Sequence, residues 1–420
     1  MEQHEKLLCR LLKCALNGKH FNGMGNYTAD EYKKAIKAAA IHNVLPLLYD
    51  TLDNSVMEGN ITFDKAVNNK VENIALQTVQ QSYHLLFLSK YVINLLEENG
   101  IKAVLLKGSS TASLYPVPEL RKSGDVDLLL ENAEAAGRAC NILDKAGFIM
   151  EAEQHANHHI VYKSPDGIDV ELHSMLVEPF DNSMINNYLK KTRADIFKDN
   201  SRKNIMGVEL PVLSEPFHAF YLLLHMLQHY LRSGFGLKLI CDWVVFWNRD
   251  IPQKDKLQFL KFIKESGIYG FARMATLAGI YYLGLCKDNV SFMLCLDNKH
   301  NAGKADEKKD GGKKDRENAK EFLEEVFEAG EFGKTSPDRM VVLRGTGCIA
   351  YIREFHHQMR LAYPKAGQVI IIWPVLWIMT FAGFIYRNHS IRNVTGSAII
   401  KKAAQRSRLA GKMKLFKKIG

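Results

Sequence analysis

A chain of 420 residues with 47% hydrophobic and 24% charged side chains is too apolar to be wholly disordered and too ordinary to be fibrous, and it is long enough for two or three folded units. The net charge of +10 at first suggests a nucleic-acid partner, yet ten of the 56 bases lie between Arg387 and Gly420 with no acid among them, and the rest of the chain balances 46 against 46. Only the tail therefore calls for an anionic partner. The seven cysteines are scattered without a C-x-x-C pair, which supports neither a disulfide framework nor a zinc cage and fits a reducing compartment.

The opening stretch "MEQHEKLLCRLLKCALNG" places charges between its apolar residues, so it reads as an amphipathic helix and not a signal peptide, and the expected location is cytoplasmic. Apolar positions then recur at three and four in "EYKKAIKAAAIHNVLPLLYDTL" and "SYHLLFLSKYVINLLEENG", which makes residues 1–100 a helical region that stops at Gly100. From Ile101 the period falls to two. The runs "IKAVLLK", "DVDLLL", "FIMEAE", "HHIVYK" and "IDVELH", punctuated by Gly124, Gly147 and Pro165-Asp166-Gly167, predict strands over 101–175 with helices inserted after Ser109 and Glu131. The fold class expected is α+β, a small mixed sheet flanked by helical regions. Residues 176–300 read as helical again, 301–320 as a charged flexible linker, and 321–420 as a C-terminal helical region with an apolar run and a basic tail.

Within the sheet region, Asp125 and Asp127 in "DVDLLL" must share one face of a strand while Val126 and Leu128 face the other. Like charges so placed repel unless a cation lies between them, and Mg²⁺ takes carboxylate and phosphate oxygens. Acidic pairs at this spacing arise by chance about five times in such a composition, so context must decide. Gly108 and Ser109 stand at a strand-to-helix turn suited to backbone contact with phosphate. "IDVELH" places Asp169, Glu171 and His173 on one face of a second strand, from which a third carboxylate can come, either Asp169 or Glu171. Lys107 and Arg121 bracket the loop and could meet phosphate charge. A phosphate cradle with three carboxylates is what metal-assisted nucleotidyl transfer needs. G-x-x-x-x-G-K-[ST] is absent, which argues against a P-loop kinase or ATPase.

The order Gly-Ser, Asp-x-Asp on a strand and a later strand acid resembles the DNA polymerase beta-like nucleotidyltransferase superfamily. More closely, "LLKGSS…LYP…R…GDVDLLL…VELH", with "IHNVLPLLY", "HMLQHY" and "EAGEFG", is similar to the uncharacterised bacterial nucleotidyltransferases. That resemblance implies nucleotide binding at Gly108 and Ser109, metal binding at Asp125 and Asp127, and Glu171 as the third acid. It further implies an enzyme that moves an NMP group from an NTP, with Mg²⁺ or Mn²⁺, to an acceptor that is a small molecule, tRNA or protein. A toxin-like transferase acting on tRNA or protein, and a catalytically idle nucleotide-binding module, are the rival readings.

His225 and His229, spaced i, i+4 on a helix, lack the Glu of an H-E-x-x-H pattern and read first as packing; His225 and Asp242 are nevertheless candidates for acceptor contact. "QHANHH" at 154–159 reads as a surface turn. The 18 uncharged residues from Val369 to Tyr386 form a buried helix, an interfacial helix or a span; a single crossing would separate the basic tail from a cytoplasmic catalytic domain, which argues against the span. Peripheral membrane contact through this apolar helix and the basic tail is expected, with Ile399, Ala403, Leu409, Met413 and Phe416 as a lipid-facing stripe.

Overall fold

The structure is a computed structural model that describes residues 1–19, 21, 27–52, 65–151, 159–198, 201–232, 234–294, 307–330, 366–386 and 406–417, with isolated positions between 352 and 363. Its centre is a mixed seven-stranded sheet in the order β3-β4-β5-β2-β1-β7-β6. The strands are β1 (Ala103–Leu105), β2 (Asp125–Leu130), β3 (Ile149–Met150), β4 (His159–Lys163), β5 (Asp169–His173), β6 (Ser201–Ile205) and β7 (Val208–Val212). β2 runs antiparallel to β1 and parallel to β5, so the two acidic strands lie side by side.

Period-two alternation gives this sheet two unlike faces. On one, Val126, Leu128, Leu130, Val170 and Leu172 pack into a core completed by Leu86, Val92 and Leu96 of α3 (Lys65–Glu98) and Ala135, Ala139 and Leu143 of α5 (Ala133–Lys145). The short α4 (Ser109–Ala112) follows β1. On the other face Val104, Leu106 and Leu129 join a larger helical core. That core takes residues from α1 (Gln3–Ala15), α2 (Ala29–Ile41), α6 (Ser183–Ile196), α7 (Glu215–Leu231), α8 (Leu237–Trp247), α9 (Gln253–Glu265), α10 (Tyr269–Ala278) and α11 (Glu307–Ala329). The α+β expectation is met, and the acids of β2 and β5 sit between the sheet and the helical core.

Three expectations need correction. Residues 176–300 are not wholly helical, because β6 and β7 form a hairpin that extends the sheet beyond β1. Its turn is Met206-Gly207, both at positive φ (48° and 85°), the backbone of a two-residue hairpin turn. The charged linker at 301–320 lies outside the described residues as far as 306, and from Glu307 it is helix. Ala319, Phe322, Leu323, Val326 and Phe327 form a buried stripe at helical spacing, and Arg273 holds Asp315 with two hydrogen bonds of 2.9 and 2.8 Å. That apolar stripe extends the helix back through charged sequence. The tail stripe does not face lipid where it is described: Leu409, Ala410 and Met413 are buried in the helical core, Arg406 pairs with Glu325, and Arg408 and Lys412 pair with Glu321. Ile399 and Ala403 lie outside the described residues. All five described cysteines are free.

The hairpin is fastened to the helical core by Glu215, which accepts from Lys203 of β6 at 2.5 Å and from Arg249 at 3.1 and 2.5 Å. Burial alone would raise the Glu215 pKa, but Arg249 and then Lys203 outweigh it and bring it down to about 2. A depressed folded pKa stabilises above the unfolded value and is lost as pH falls through the folded one. Glu215→Gln should therefore destabilise by about 2 kcal/mol at neutral pH, and the gap from wild type should close between pH 4.5 and about 2. Urea denaturation across that range measures it; a gap independent of pH would mean that the carboxylate charge is not what fastens the hairpin.

Candidate active site

Parallel pairing of β2 with β5 sets the geometry, since the register matches Asp125 with Asp169, Asp127 with Glu171 and Leu129 with His173. The i, i+2 residues of both strands project on the same face, so acids from two strands converge. Asp127 is the innermost, with its side chain 1% exposed. Its Oδ1 lies 3.1 Å from His173 Nε2, which is also 3.2 Å from Glu171 Oε2. Burial would lower the His173 pKa, but hydrogen bonds to Asp127 and Glu171 lift it to about 9, so the ring is cationic at neutral pH. Glu171 is correspondingly held below its ordinary value: burial would raise it, and His173 and Lys107 more than offset that.

The second cation is Lys107, just beyond β1, whose Nζ stands 3.1 Å from Asp125 Oδ2 and 3.2 Å from Asp127 Oδ2. Burial would depress its pKa, yet Asp127 and Asp125 hold it well above the ordinary lysine value. The repulsion that the sequence predicts between the aspartates is thus neutralised by side chains of the chain itself. Asp127 Oδ2 nevertheless makes no hydrogen bond although it is buried. One ligand atom from each of Asp127, Glu171 and His173 falls within 4.8 Å of the others, close enough to hold one metal ion. A buried carboxylate oxygen with an ion pair to Lys107 but no hydrogen bond, in a residue of that donor set, fits a divalent cation.

The loop after β1 is held from beneath. Gly108, with φ +70° and ψ −117°, adopts a backbone that an L-residue would strain to reach, and it opens α4. Arg121 donates through Nε and Nη2 to the two oxygens of Asp242, each at 2.7 Å, and through Nη1 to Ser123 Oγ at 2.6 Å and Gly108 O at 3.5 Å. Tyr115 Oη donates to Asp242 Oδ1 at 2.6 Å. Arg121 and Asp242 are both buried. This overturns two readings of the sequence: Arg121 is committed to Asp242 and not directed at phosphate, and Asp242 is closed off from an acceptor. Both instead clamp the loop that carries Lys107, Gly108 and Ser109. "IHNVLPLLY" supports the same region, as Lys122 donates to Asn43 Oδ1 at 2.9 Å and Leu237 N–H donates to His42 Nδ1 at 3.3 Å.

Opposite the sheet, α7 contributes His218, Tyr221, His225 and His229 at helical spacing. His218 Nε2 meets Thr111 Oγ1 at 3.2 Å, fixing α7 to α4. Tyr221 and His225 stack at 5.8 Å, and His225 meets His229 edge-on at 4.5 Å. Burial, then the neighbouring His229 and Lys107, keeps His225 well below its ordinary pKa, and burial and Lys107 bring His229 down to about 4. Burial first, then Asp127, raises Tyr221. The wall facing the charged cluster is therefore an uncharged row of rings at neutral pH. Asp169 is drawn to Lys163 at 2.6 Å and stays outside the three-residue cluster, which leaves Glu171 as the acid beside Asp127. His159, part of the expected surface turn, instead begins β4 and stacks on His173 at 5.4 Å. The period-two run "HHIVYK" carried that signal; Tyr221 and His218 carried none beyond sharing a helix face with His225.

The class defined by this site, strand acids beside a glycine turn, agrees with the comparisons. Residues 28–282 match the family model described as "Uncharacterised nucleotidyltransferase", and the chain belongs to that family of nucleotidyltransferases. Among solved structures it is similar to an antigenic nucleotidyltransferase-like protein from Paracoccidioides brasiliensis, with 19% identity and a TM-score of 0.29 over 43% of this chain and 88% of that one. It is also similar to the lincosamide antibiotic adenylyltransferase LnuA, lincomycin-bound, with 14% identity and a TM-score of 0.24 over 43% of this chain and 94% of that one. No curated protein matches the chain.

The clamp beneath the loop has a measurable energy. Asp242→Ala leaves a buried guanidinium without its counter-charge and should cost about 3–5 kcal/mol. Arg121→Lys keeps the charge but loses the two-pronged contact, and should cost less. Chemical denaturation of both variants tests this, and a loss below about 1 kcal/mol for Asp242→Ala would show that the pair does not hold the loop.

Proposed function

We propose that the protein transfers an NMP group from an NTP to an acceptor nucleophile, with a divalent metal held by Asp127, Glu171 and His173 and with Asp125 as a further ligand. The observation that carries this reading is the convergence of Asp127, Glu171 and His173 within 4.8 Å, with the buried Asp127 Oδ2 making no hydrogen bond and only the ion pair to Lys107. Mg²⁺ or Mn²⁺ bound there would supply Lewis-acid polarisation of the transferring phosphoryl group and a counter-charge for the pyrophosphate that leaves. The carboxylates of Asp127 and Glu171 are the oxygen donors that suit Mg²⁺ and Mn²⁺.

The chain's own residues have separate tasks in this reading. Gly108 and Ser109 offer the turn on which the triphosphate rests, as the resemblance to the DNA polymerase beta-like superfamily implies. Lys107, already charged and bound to both aspartates, is placed to follow the negative charge onto phosphate. His173 holds a proton between Asp127 and Glu171 and must release it before its nitrogen can act as a ligand. Tyr221 and His225 exclude water from one side, where a stacked ring of the nucleotide or acceptor would lie. The acceptor is open in this reading, and small molecule, tRNA and protein all satisfy the chemistry.

Asp125→Asn, Asp127→Asn and Glu171→Gln should each lower pyrophosphate release from NTP by on the order of 100-fold or more. The same variants should lose the rise in melting temperature that Mn²⁺ with a non-hydrolysable NTP gives the wild type, and EDTA should abolish that rise. Unlike bare repulsion, the observed pairing with Lys107 and His173 implies that Asp127→Asn also lowers the metal-free melting temperature. Variants that keep both the metal-dependent stabilisation and pyrophosphate release would remove this site from the account.

A further inference from the structure

The run from Val369 to Phe381 has the largest concentration of exposed apolar side chains among the described residues. Ile370 and Ile371 lie in a short 3-10 turn and are 69% and 90% exposed, and α12 (Trp373–Tyr386) adds Ile378 at 69%, with Val375, Phe381 and Met379 each at least half exposed. Among residues 373–383 of this helix only Leu376 is buried. At 100° per residue, the exposed positions 375, 377, 378, 379 and 381 cover roughly 200° of the circumference. A helix that docks on another protein buries a stripe nearer 100° wide. Apolar side chains spread over so wide an arc suit a medium that surrounds them.

We propose that residues 369–381 are a lipid-contact surface that seats the protein on one leaflet of an anionic bilayer. No helix among the described residues is long and apolar enough to cross a membrane, and the 14 residues of α12 span about 21 Å against a hydrocarbon core of about 30 Å. The polar handles of its tryptophans are satisfied within the protein: Trp373 Nε1–H donates to Gly367 O at 2.9 Å and Trp377 Nε1–H to His356 Nδ1 at 3.1 Å. Their rings can therefore enter the headgroup region without an unpaired donor. Charge complementarity selects the anionic surface. Arg360 is exposed beside Gly367 at the N-terminal side of the surface, and Arg387, Arg392, Lys401 and Lys402 follow it in sequence without an acid. The tail bases beyond them are a separate matter, since Arg406, Arg408 and Lys412 are engaged with Glu325 and Glu321.

The test uses the full chain with phosphatidylcholine vesicles, alone or with a quarter phosphatidylserine. Wild type should co-sediment with the anionic vesicles and less with the neutral ones. Ile371→Asp and Ile378→Asp should each reduce partitioning about tenfold or more, with the melting temperature unchanged because both residues are exposed. Trp243 and Trp247 are fully buried, so quenching of wild-type tryptophan fluorescence by brominated acyl chains reads Trp373 and Trp377. That measurement needs no substitution. Absence of vesicle binding, unchanged partitioning of both variants, or binding without quenching would each overturn the proposal. So would a solution dimer that the same substitutions dissolve, since the surface would then belong to a second copy of the chain.

Discussion

Four carboxylates share one face of two parallel strands, of which Asp169 is drawn aside to Lys163, and the rest of the molecule is arranged around the electrostatic cost of the other three. Glu171 is brought to Asp125 and Asp127 by register, not by local sequence, and Asp127 is buried. Such a cluster stands only if positive charge is supplied at hydrogen-bond distance. Lys107 and protonated His173 supply it from opposite sides, one from the loop after β1 and one from the strand that brings Glu171. Two cations against three carboxylates leave one negative charge in excess, and Asp127 Oδ2 makes no hydrogen bond, so the site has room for further positive charge and is incomplete in coordination.

The position of Lys107 depends on a second buried ion pair that touches none of the three acids. Arg121 reaches from Asp242 on α8 to the carbonyl of Gly108, and Tyr115 completes the contact. A planar guanidinium with its donors distributed over one carboxylate and the loop fixes both distance and orientation. The helical core is thereby coupled to the glycine turn after β1. His218 and Thr111 make a parallel connection from α7 to α4, and α7 then lines the opposite wall with Tyr221 and His225. The sheet's other face is packed by α3 and α5 into a mainly apolar core.

The C-terminal hundred residues follow a different logic. α11 and the described part of the tail close the helical core through an apolar stripe and the Arg406–Glu325 pair, with Arg406 also donating to Tyr230 O at 2.7 Å and lying over the Tyr230 ring. Three of the basic residues that looked like a free polycation in sequence, Arg406, Arg408 and Lys412, are engaged there. The apolar run at 369–381 is largely exposed, whereas the charged sequence of α11 is built into the core.

The sequence by itself determined the strands of the catalytic sheet, the shared face of Asp125 and Asp127, the matching face of Asp169, Glu171 and His173, and the glycine turn, because each rests on a period or a backbone preference local to a few residues. It could not decide between Asp169 and Glu171, since both lie on the same face of one strand; Lys163 on the neighbouring strand draws Asp169 aside, and that is a cross-strand fact. The β6–β7 hairpin was legible in its Met206-Gly207 turn but was masked by helical sequence on both sides. Arg121 and Asp242 lie 121 residues apart, and no local pattern distinguishes an arginine aimed at phosphate from one aimed at a distant carboxylate. Only the tertiary structure settled which charges meet, because a side chain's partner depends on what the fold brings within a few ångströms of it, whereas its face and its period depend on its own strand or helix.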